Sequence, residues 1–549
     1  MLVLIDGRSV YTPLVGGVHW AIQDVELADV DRIEIIRGPG GSVWGANAVN
    51  GVINVITKTA ADTQGLQITG ATGTVEHGRL SARYGGAAGR VNYRVHGKAF
   101  TRGPQFHSDG SKFDDWDSLQ GGFRTDWRTS SMDAITISGD AYRTRVGERA
   151  DVSFFTPPST RTVDGDIDLS GGNVIVAWQR EFGGGARTRF QTYFDRTDRR
   201  GFTFEEVRHT WDADFSVRFA RIGRHELTSG VNARFSPSTV TRVVPTLAFL
   251  PAEQTHKVVS GFLHDSVTLA RDRLSVGAGV KVEYNQYTGA EVLPSVQALW
   301  TPGPRQRVWG ALTRAVRTPS RFERDLSFQV LVDPAAPVYI SIEGSPAFDT
   351  ESVVGSELGY RRLIGDDFYL DVVAFDNRYD GLAGIGEPTV GLASAPIPHV
   401  RVTFPFVNGV NGHSRGLEIS PDWKPQPSWR LSGSYSYLHL SLDNRPGLTN
   451  TIFRDTYLGT SPTHQVRVQS RIDLPRRFEL DQTYRYVSRL RLWDLPAYHA
   501  LDARVGWRPT SRLGLSVVGQ NLFDARHAEF GEMPIQIRRS LYVQLALQR

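Results

Sequence analysis

The sequence contains no cysteine in its 549 residues and only three methionines. The absence of cysteine excludes a disulfide scaffold, a thiolate metal site and thiol catalysis. The chain also lacks any run of about 18 uninterrupted apolar residues, which excludes transmembrane helices. Its charges are nearly balanced, with 62 basic and 58 acidic residues, so the composition gives no argument for a nucleic-acid partner.

Glycine and aromatic residues are abundant instead. The chain has 55 Gly, 12 Trp, 18 Tyr and 27 Phe, and 40% of its residues are hydrophobic while 22% are charged. A chain of this length is too long for one soluble core unless it repeats or closes into a large barrel. Together these features favour β structure with many turns.

From about residue 66 to the C-terminus, stretches of roughly ten residues alternate between apolar and polar side chains. In one stretch the alternating residues are Val91, Asn92, Tyr93, Arg94, Val95, His96, Gly97, Lys98 and Ala99. This period of two is the signature of a strand with one apolar and one polar face. It fits a soluble sandwich or propeller, and it also fits an outer-membrane barrel whose apolar face meets lipid.

Three features favour the membrane barrel. Several polar faces are heavily charged, as in residues 187–195, which suits a water-filled lumen. Tryptophans lie near the ends of predicted strands, where interfacial girdles occur; they are Trp127, Trp178, Trp300, Trp309 and Trp507. No fixed motif repeats every 40–50 or so residues, as a propeller would require. The sequence therefore predicts an all-β membrane protein with a large antiparallel transmembrane β-barrel over residues 64–549.

The length of this region bounds the number of strands. A spanning strand takes about 9–11 residues, and a barrel of plugged-transporter size has about 22 strands. On that count, residues 64–549 provide roughly 22 residues for each strand and its connection. We expect the loops outside the cell to include three segments rich in Pro, Gly and Ser, namely 148–170, 317–350 and 382–412.

Residues 1–63 follow a different pattern. Three short strands, LVLIDG, RIEIIRGPGG and GVINVITK, are separated by tight glycine-containing turns. The segment GPGGSVWG lacks the Gly-Lys-Ser/Thr ending of a phosphate-binding loop, which argues against that interpretation. We therefore predict a small mixed domain over residues 1–63, distinct from the barrel repeat.

The same residues resemble a known family. LVLIDGRSVY, followed by VDRIEIIRGPGGSVWGANAVNGVINVITK, closely resembles the second half of the plug domain of TonB-dependent outer-membrane receptors. Further similarity lies in RAVRTPSRFERD (314–325), ESVVGSELGYRR (351–362), SRGLEISPDWKP (414–425) and VVGQNLFDARHAEFG (517–531). The resemblance implies that residues 1–63 form part of a small α+β plug inside the lumen of a barrel of about 22 strands.

The resemblance also implies a function. Similar receptors lie in the outer membrane of Gram-negative bacteria, bind an extracellular small molecule and import it with energy supplied through TonB. A ferric siderophore or similar iron complex is the expected ligand, TonB and outer-membrane lipid are the expected partners, and no cofactor is expected. The family carries a signal peptide, a TonB-contact segment and a first plug half upstream, so we expect an N-terminally truncated sequence. The ending ALQR (546–549) also departs from the family's aromatic terminus.

An ionic lock between plug and barrel follows from the same resemblance. Similar receptors hold the plug with arginines that face barrel glutamates. Arg37 of the RGP motif matches one such arginine, and Glu357 of SELGY and Glu418 of GLEIS match the two glutamates. A bidentate arginine–carboxylate contact at that place would be oriented and partly desolvated. The alternative is that both glutamates are ordinary lumen-facing residues of alternating strands.

Ligand contacts are expected near the outward apex of the plug, which follows LVLIDG in similar receptors, and in the barrel segment RTPSRFERD. The candidate contacts are Arg8, Tyr11, His19, Trp20, Arg321, Phe322 and Arg324. Arginine and aromatic side chains suit an anionic or ring-bearing ligand. The alternative for the first four is a structural loop in which Trp20 packs against the barrel.

Catalysis is not expected. The 14 histidines are scattered, without an H-E-x-x-H motif or paired metal-ligand spacing, so the sequence predicts neither a catalytic residue nor a metal site. Two other functions stay open beside the receptor. A passive porin-like channel would have no plug motif, and residues 1–58 argue against it. An outer-membrane or soluble β-domain enzyme would need a catalytic constellation facing one cavity.

Overall fold

The computed structural model describes residues 1–155, 160–333, 337–394, 397–531 and 535–549. Parts of the three expected outer loops, namely residues 156–159, 334–336 and 395–396, lie outside the described residues. A small N-terminal sheet lies against the inner wall of a large closed barrel, and further strands stand above one end of that barrel.

The N-terminal segment forms a sheet with the strand order β2-β1-β6-β5. Its elements are β1 (Leu2–Ile5), β2 (Arg8–Ser9), β3 (Tyr11–Thr12), β4 (Gly17–Val18), β5 (Val30–Arg37), α1 (Gly41–Trp44) and β6 (Gly51–Thr57). Strands β1 and β6 are parallel, whereas β5 and β6 are antiparallel. Asp6 and Gly7 have φ values of 50° and 85°, which is the backbone that an Asp-Gly hairpin turn requires.

The remaining strands follow in chain order from Gly65. They are β7 (Gly65–Gly73), β8 (Glu76–Ala88), β9 (Val91–Arg102), β10 (Phe106–His107), β11 (Trp116–Arg128), β12 (Asp133–Ser153), β13 (Thr160–Glu181), β14 (Arg187–Arg200), β15 (Phe204–Arg218), β16 (His225–Arg242), β17 (Leu247–Phe249), β18 (Glu253–Ala270), β19 (Leu274–Asn285), β20 (Gly289–Gly303) and β21 (Gln306–Arg317). After them come β22 (Leu326–Asp333), β23 (Val338–Glu343), β24 (Glu351–Ile364), β25 (Phe368–Ile385), β26 (Thr389–Ala393), β27 (His399–Gln426), β28 (Trp429–Asn444), β29 (His464–Leu474), β30 (Phe478–Val487), β31 (Tyr498–Trp507), β32 (Leu513–Gln520), β33 (Arg526–His527), β34 (Ile535–Arg538) and β35 (Ser540–Gln548).

In the described part of the chain, 22 of these strands form one closed antiparallel barrel, which confirms the predicted fold class. The strands outside it are β10, β17, β22, β23, β26, β33 and β34. Closure is made by the last strand, because β35 pairs with β7 from Tyr542 opposite Gly73 to Gln548 opposite Gln67. The barrel therefore has no open edge. A sheet in lipid must be closed in this way, because the backbone groups of an open edge would have no hydrogen-bond partner.

The alternation that predicted the strands sets the two faces of the wall. On β9, Val95 is 50% exposed to the outside, whereas Arg94 and Lys98 are 4% and 8% exposed and contact the N-terminal segment. Apolar side chains thus face lipid, and charged side chains face the lumen.

The two ends of the barrel differ in their connections. At the end that holds the N-terminus of β7 and the C-terminus of β35, the connections are short, for example residues 89–90, 304–305 and 427–428. At the other end they are longer, for example 318–350 and 445–463. Since transmembrane barrels have short periplasmic turns and longer extracellular loops, the second end is the extracellular one.

Two of the expected outer loops contain more strand than the sequence suggested. Strands β12 and β13 continue as a hairpin through most of 148–170, and β27 has 28 residues and takes in 399–412. Arg149 Nε lies 2.6 Å from Asp164 Oδ1 across that hairpin. These segments lie at the extracellular end as expected, but much of them is strand, because cross-strand ion pairs hold polar strands together as well.

An outer sheet above the extracellular mouth consists of β17, β22, β23, β27 and β26. A smaller sheet consists of β10, β34 and β33. Helices α2 (Arg321–Asp325) and α3 (Ile452–Gly459) lie in outer connections. Short 3-10 segments occur at Trp20–Ile22, Leu27–Asp29, Ala61–Thr63, Gly183–Gly185, Pro475–Arg477 and Leu492–Asp494. Among the described residues no helix has the length and apolarity needed to cross a membrane.

An apolar cluster lies where the outer sheet meets the N-terminal segment. Its buried members are Leu14, Val240, Phe249, Leu326, Phe348, Ala383, Ile385 and Phe406. Leu14 is completely buried and comes from the N-terminal segment, whereas the others come from barrel strands and outer connections. The cluster therefore joins the apex of the N-terminal segment to the extracellular loops.

Candidate functional site

The first contact between the plug segment (residues 1–57, the N-terminal sheet in the lumen) and the barrel is a buried ionic cluster. Arg83 Nη1 donates to Asp29 Oδ1, and Arg94 Nε lies 3.6 Å from Asp29 Oδ2. Lys98 Nζ lies 2.8 Å from Asp24 Oδ1. The side chain of Asp29 is 4% exposed, and the three barrel cations are each 8% exposed or less. We call these five residues the tether cluster.

Across the lumen, the plug meets β24 and β27 through the three residues of the expected lock. Arg37 Nη1 donates to Glu418 Oε2, and the two side chains are 52% and 21% exposed. Gly38 has a φ of 71°, and a Cβ at this position would lie 1.7 Å from Glu357 Oε1. The structure thus brings Arg37, Glu357 and Glu418 to one place, with the ion pair formed to Glu418. That this arrangement acts as a lock stays a prediction.

Helix α1 lies directly against the barrel wall. A Cβ on Gly41 would lie 2.8 Å from the carbonyl oxygen of Arg314, so only glycine fits at this approach. The backbone N–H of Asn47 donates to the carbonyl of Val316 at 2.7 Å. Gly41 of GPGGSVWG therefore serves close backbone packing.

Cavities flank the plug segment on two sides. The larger has a volume of about 1210 Å³ and lies between β5, α1 and the wall from β18 to β29, where Arg37, Glu357 and Tyr457 line it. The smaller has about 440 Å³ and lies between β1 and the wall from β12 to β19, with Arg8 and Arg208 in its lining. The plug segment therefore leaves space in the lumen that is large enough for a small molecule.

Arg8 and Tyr11 lie at the border between plug and barrel. Arg8 is 6% exposed, and its Nη1 lies 2.6 Å from Asp195 Oδ2 of β14. Tyr11 is half-buried and lines both cavities. Burial raises the pKa of the Tyr11 hydroxyl above its ordinary value, while the nearby Arg317 opposes this shift. Arg8 is therefore neutralised by the barrel, and Tyr11 is an uncharged donor.

His19 and Trp20 follow at the turn after β4. Among the described residues, His19 Nε2 has no hydrogen-bond partner. Burial, aided by the charges of Arg208 and Arg199, lowers the pKa of His19 to about 4, so the ring is neutral at physiological pH. Trp20 is 59% exposed, so more than half of its surface is accessible to a ligand.

The three candidates on α2 differ from one another. Arg321 is 2% exposed and donates to Asp325 Oδ2 at 2.8 Å, to Ser238 Oγ at 3.2 Å and to the carbonyl of Pro251. All its donor nitrogens are used within the protein, so Arg321 departs from the expectation of a ligand contact. Its neighbour Phe322 is 40% exposed.

Arg324 lies on the same helix and is partly committed to the protein. Its Nη1 donates to the carbonyl of Phe348 at 2.7 Å, and its guanidinium lies 5.1 Å from the ring centre of Tyr287. The structure therefore leaves Phe322 as the more accessible side chain of α2 and Arg324 as a partly shielded one.

Two groups of residues were missed by reasoning from the sequence. The tether cluster joins plug carboxylates to strands tens of residues later, and no local pattern marks such pairs. Arg317, at the end of β21, bridges Glu323 and Glu351, with Nη2 at 2.9 Å from an oxygen of each. The S-x-x-E string from Ser320 to Glu323 could have predicted the start of α2, because this pattern is a capping box.

Within the described residues, no group of three or more His, Asp or Glu side chains is arranged to hold a metal ion. The string GHSRG (412–416) matches the G-x-S-x-G motif of hydrolases. It lies inside the long strand β27, however, and Ser414 Oγ accepts a hydrogen bond from Asn377 Nδ2 at 3.2 Å. Because a nucleophile elbow needs a sharp strand-to-helix turn, this match carries no catalytic function.

A closed 22-stranded barrel with a small sheet inside its lumen and loops over one mouth defines a plugged outer-membrane barrel. The family model described as TonB dependent receptor-like, beta-barrel matches residues 59–522, and the TonB-dependent Receptor Plug Domain matches residues 1–52. The chain therefore belongs to the TonB-dependent receptor family. This is a family of receptors and transporters of the Gram-negative outer membrane, and its members are not enzymes.

Curated relatives include a transporter that matches over a short segment and a receptor that matches over most of the chain. The vitamin B12 transporter BtuB of Vibrio cholerae is 37% identical over 89 residues, which cover 16% of this chain and only 14% of that protein. The pesticin receptor of Yersinia pestis is 22% identical over 593 residues, covering 92% of this chain and 78% of the relative.

Solved structures share the fold at low identity. The siderophore receptor PirA from Acinetobacter baumannii has a TM-score of 0.79 at 14% identity, covering 100% of this chain and 90% of that one. The FrpB iron transporter from Neisseria meningitidis has a TM-score of 0.77 at 12% identity, covering 100% and 91%. At these identities the likeness shows the fold alone.

Proposed function

We propose that this chain is a TonB-dependent uptake receptor that binds an iron complex of the siderophore class at its extracellular mouth and passes it to the periplasm. The observation that carries the proposal is the plug segment, which lies inside a closed barrel with its apex beneath the extracellular loops. Similar structures named siderophore receptor and iron transporter support the ligand class. The short match to a vitamin B12 transporter makes cobalamin the second ligand to test.

The proposed ligand contacts combine exposed rings with donors deeper in the lumen. Trp20 and Phe322 offer exposed aromatic surface, with Arg324 beside Phe322. Tyr11, His19 and Arg8 lie behind them at the plug, where an uncharged hydroxyl, a neutral imidazole and a paired guanidinium are available. Rings and guanidinium groups suit an anionic, ring-bearing iron chelate. Arg321 is left out of this set because its donor nitrogens are all used within the protein and, unlike Arg8, it does not line either cavity.

The proposed domain division assigns residues 1–63 to the plug and 64–549 to the barrel, and TonB is the proposed periplasmic partner. In this scheme Arg37, Glu357 and Glu418 form a separable contact that opens when the plug moves. The half-exposed Arg37 supports this role, because solvent-exposed ion pairs contribute little and break at small cost.

The test is accumulation of the ligand, labelled with radioactive iron in a siderophore complex or with radioactive cobalt in cobalamin, in Gram-negative cells that lack their own receptors for both. Ferric enterobactin and cobalamin serve as probes, and each is measured with and without TonB. We expect TonB-dependent accumulation of one probe and a loss of it in Trp20→Ala. Trp507→Ala is the matched control, because Trp507 stacks on Phe478 on the outer face of the barrel. Accumulation that is independent of TonB would contradict the proposal.

A passive channel is the second candidate, and the open space in the lumen favours it. The larger cavity has a volume of about 1210 Å³. On β29, Val466 and Val468 face outward, so Arg467 and Arg471 face the lumen, and both are exposed to solvent there. A plugged receptor should give a closed trace in planar bilayers, whereas a passive channel should give steady conductance. Steady, anion-selective conductance that Arg467→Glu reduces would favour this candidate.

A further inference from the structure

The apex of the plug is hydrogen-bonded to an extracellular loop through backbone atoms. The N–H of Arg321 donates to the carbonyl of Pro13 at 2.9 Å, and the N–H of Phe322 donates to the carbonyl of Leu14 at 3.0 Å. Leu14 itself is completely buried in the apolar cluster beneath the outer sheet. Main-chain bonds of this kind depend on the position of the loop and not on its side chains. A shift of the loop backbone therefore changes the bonds to the apex.

The loop segment is held in a fixed shape by its own side chains. The carboxylate of Glu323 accepts a hydrogen bond from the N–H of Ser320 at 2.7 Å, while the Ser320 hydroxyl accepts one from the N–H of Phe322 at 3.2 Å. These reciprocal bonds form a capping box, which fixes the start of α2. Both Ser320 and Glu323 are buried. The two amides that bind the plug are therefore held in one orientation.

Arg317 connects this helix to the barrel wall. Its Nη2 lies 2.9 Å from Glu323 Oε1 and 2.9 Å from Glu351 Oε1 of β24. Glu351 Oε1 also accepts the N–H of Ala383 on β25, at 2.7 Å. One partly buried guanidinium thus joins α2 to two barrel strands. Because each carboxylate is also bonded to backbone, a change at either end shifts the other.

The plug closes against the same guanidinium. Gly16 has a φ of 66°, and a Cβ there would lie 3.1 Å from both Arg317 Nη1 and the Tyr11 hydroxyl oxygen. The far side of α2 carries Phe322, whose ring lies 5.7 Å from that of Phe406 on β27. The helix therefore touches the plug through its backbone and the extracellular strands through a side chain.

We propose that Arg317 and helix α2 form an apex latch, meaning residues 317–325, through which the state of the extracellular loops is passed to the plug. This inference rests on the proposed receptor function, since it describes how occupancy of the outer mouth reaches the plug. Arg317 is a positioning residue in this scheme: it holds α2 so that the amides of Arg321 and Phe322 meet Pro13 and Leu14.

The test is amide hydrogen exchange at the apex contact in the purified, ligand-free protein. It is followed on the peptide that carries the donating N–H groups of Arg321 and Phe322, together with the plug peptide 10–18. Arg317→Lys keeps the charge but loses the two-carboxylate bridge, so we expect exchange at the apex to rise about tenfold or more. Arg314→Lys is the matched control, because Arg314 lies on the same strand and contacts Glu291 and the carbonyl of Val292. Glu351→Gln is a second variant with the same expectation, and heat-modifiable gel mobility confirms that each barrel is folded. Unchanged apex exchange in both variants would overturn the latch.

Transmission from the loops needs a separate perturbation. Phe322→Ala removes the contact with Phe406 while leaving the backbone bonds to the plug. We expect the rate of amide exchange at the apex to rise about threefold or more. Leu392→Ala, at a residue 89% exposed on β26, is the control and should change nothing. If Arg317→Lys frees the apex and Phe322→Ala does not, the latch is static and the coupling role is refuted. Both measurements are made without ligand, so a failure of the receptor proposal would appear only in the uptake assay.

Discussion

Replacing Asp29 by asparagine removes the central carboxylate of the tether cluster with almost no change in shape. Asp29 contacts Arg83 and Arg94, and all three side chains are less than 10% exposed. The substitution leaves two buried guanidinium groups without their shared counter-ion. Breaking a buried pair by removing one partner costs about 3–5 kcal/mol. Because asparagine keeps an oxygen that accepts a hydrogen bond, we take about 3 kcal/mol, near the low end of that range.

The assay uses the absence of cysteine in the chain. Val52→Cys places a single thiol at a completely buried position of the plug core, so its labelling by a maleimide requires the plug to open. When opening and closing are fast, the labelling rate follows the opening equilibrium. A loss of about 3 kcal/mol should then raise the rate roughly a hundredfold, since about 1.4 kcal/mol corresponds to a factor of ten.

The control variant lies two residues away. Asp31→Asn removes a carboxylate that is 49% exposed and pairs with the exposed Arg32, so the labelling rate should stay within about threefold of the parent. If Asp29→Asn changes the rate as little as this control does, the tether cluster does not hold the plug. The assignment of plug stability to buried charge would then be wrong.

Three further predictions use the same thiol reporter. Arg37→Ala should raise the labelling rate only about fivefold, because its half-exposed pair with Glu418 contributes up to about 1 kcal/mol; a hundredfold rise would show that this pair dominates. Gly38→Ala should raise the rate about tenfold, because a φ of 71° costs an alanine about 1–2 kcal/mol while the Glu357 carboxylate can move away from the new Cβ; a parent-like rate would refute this strain. Burial lowers the pKa of His19 from 6.5 to about 4, so its contribution to stability is complete above pH 6.5 and is lost as the pH falls towards 4. Acid also removes the reactive thiolate, so each labelling rate is divided by that of a free thiol at the same pH. The corrected rate should rise over that window in the parent and less so in His19→Gln; an equal rise in both would exclude His19.

The sequence by itself determined the architecture of the barrel. Alternation such as that around Val95 and Lys98 depends only on the period of a strand, and in a closed membrane barrel each side chain faces either lipid or lumen. Arg37 could also be recognised, because the segment around it resembles the plug of the family. Gly38 and Gly41 lie in the same segment, where Gly38 has a positive φ and Gly41 lies close to the barrel backbone. The composition of the outer hairpins was a poor guide, since ion pairs such as Arg149–Asp164 support strands that look like loops.

Only the tertiary structure decided which charges meet. Asp29 and Arg83 are 54 positions apart, and the contact exists because the plug sheet turns one face towards β8 and β9. Arg321 shows the converse: its residue type suits a ligand, but the fold surrounds it with Asp325, Ser238 and backbone carbonyls. An identical guanidinium is a ligand contact or a structural donor according to the groups that burial places around it, and those groups come from distant strands.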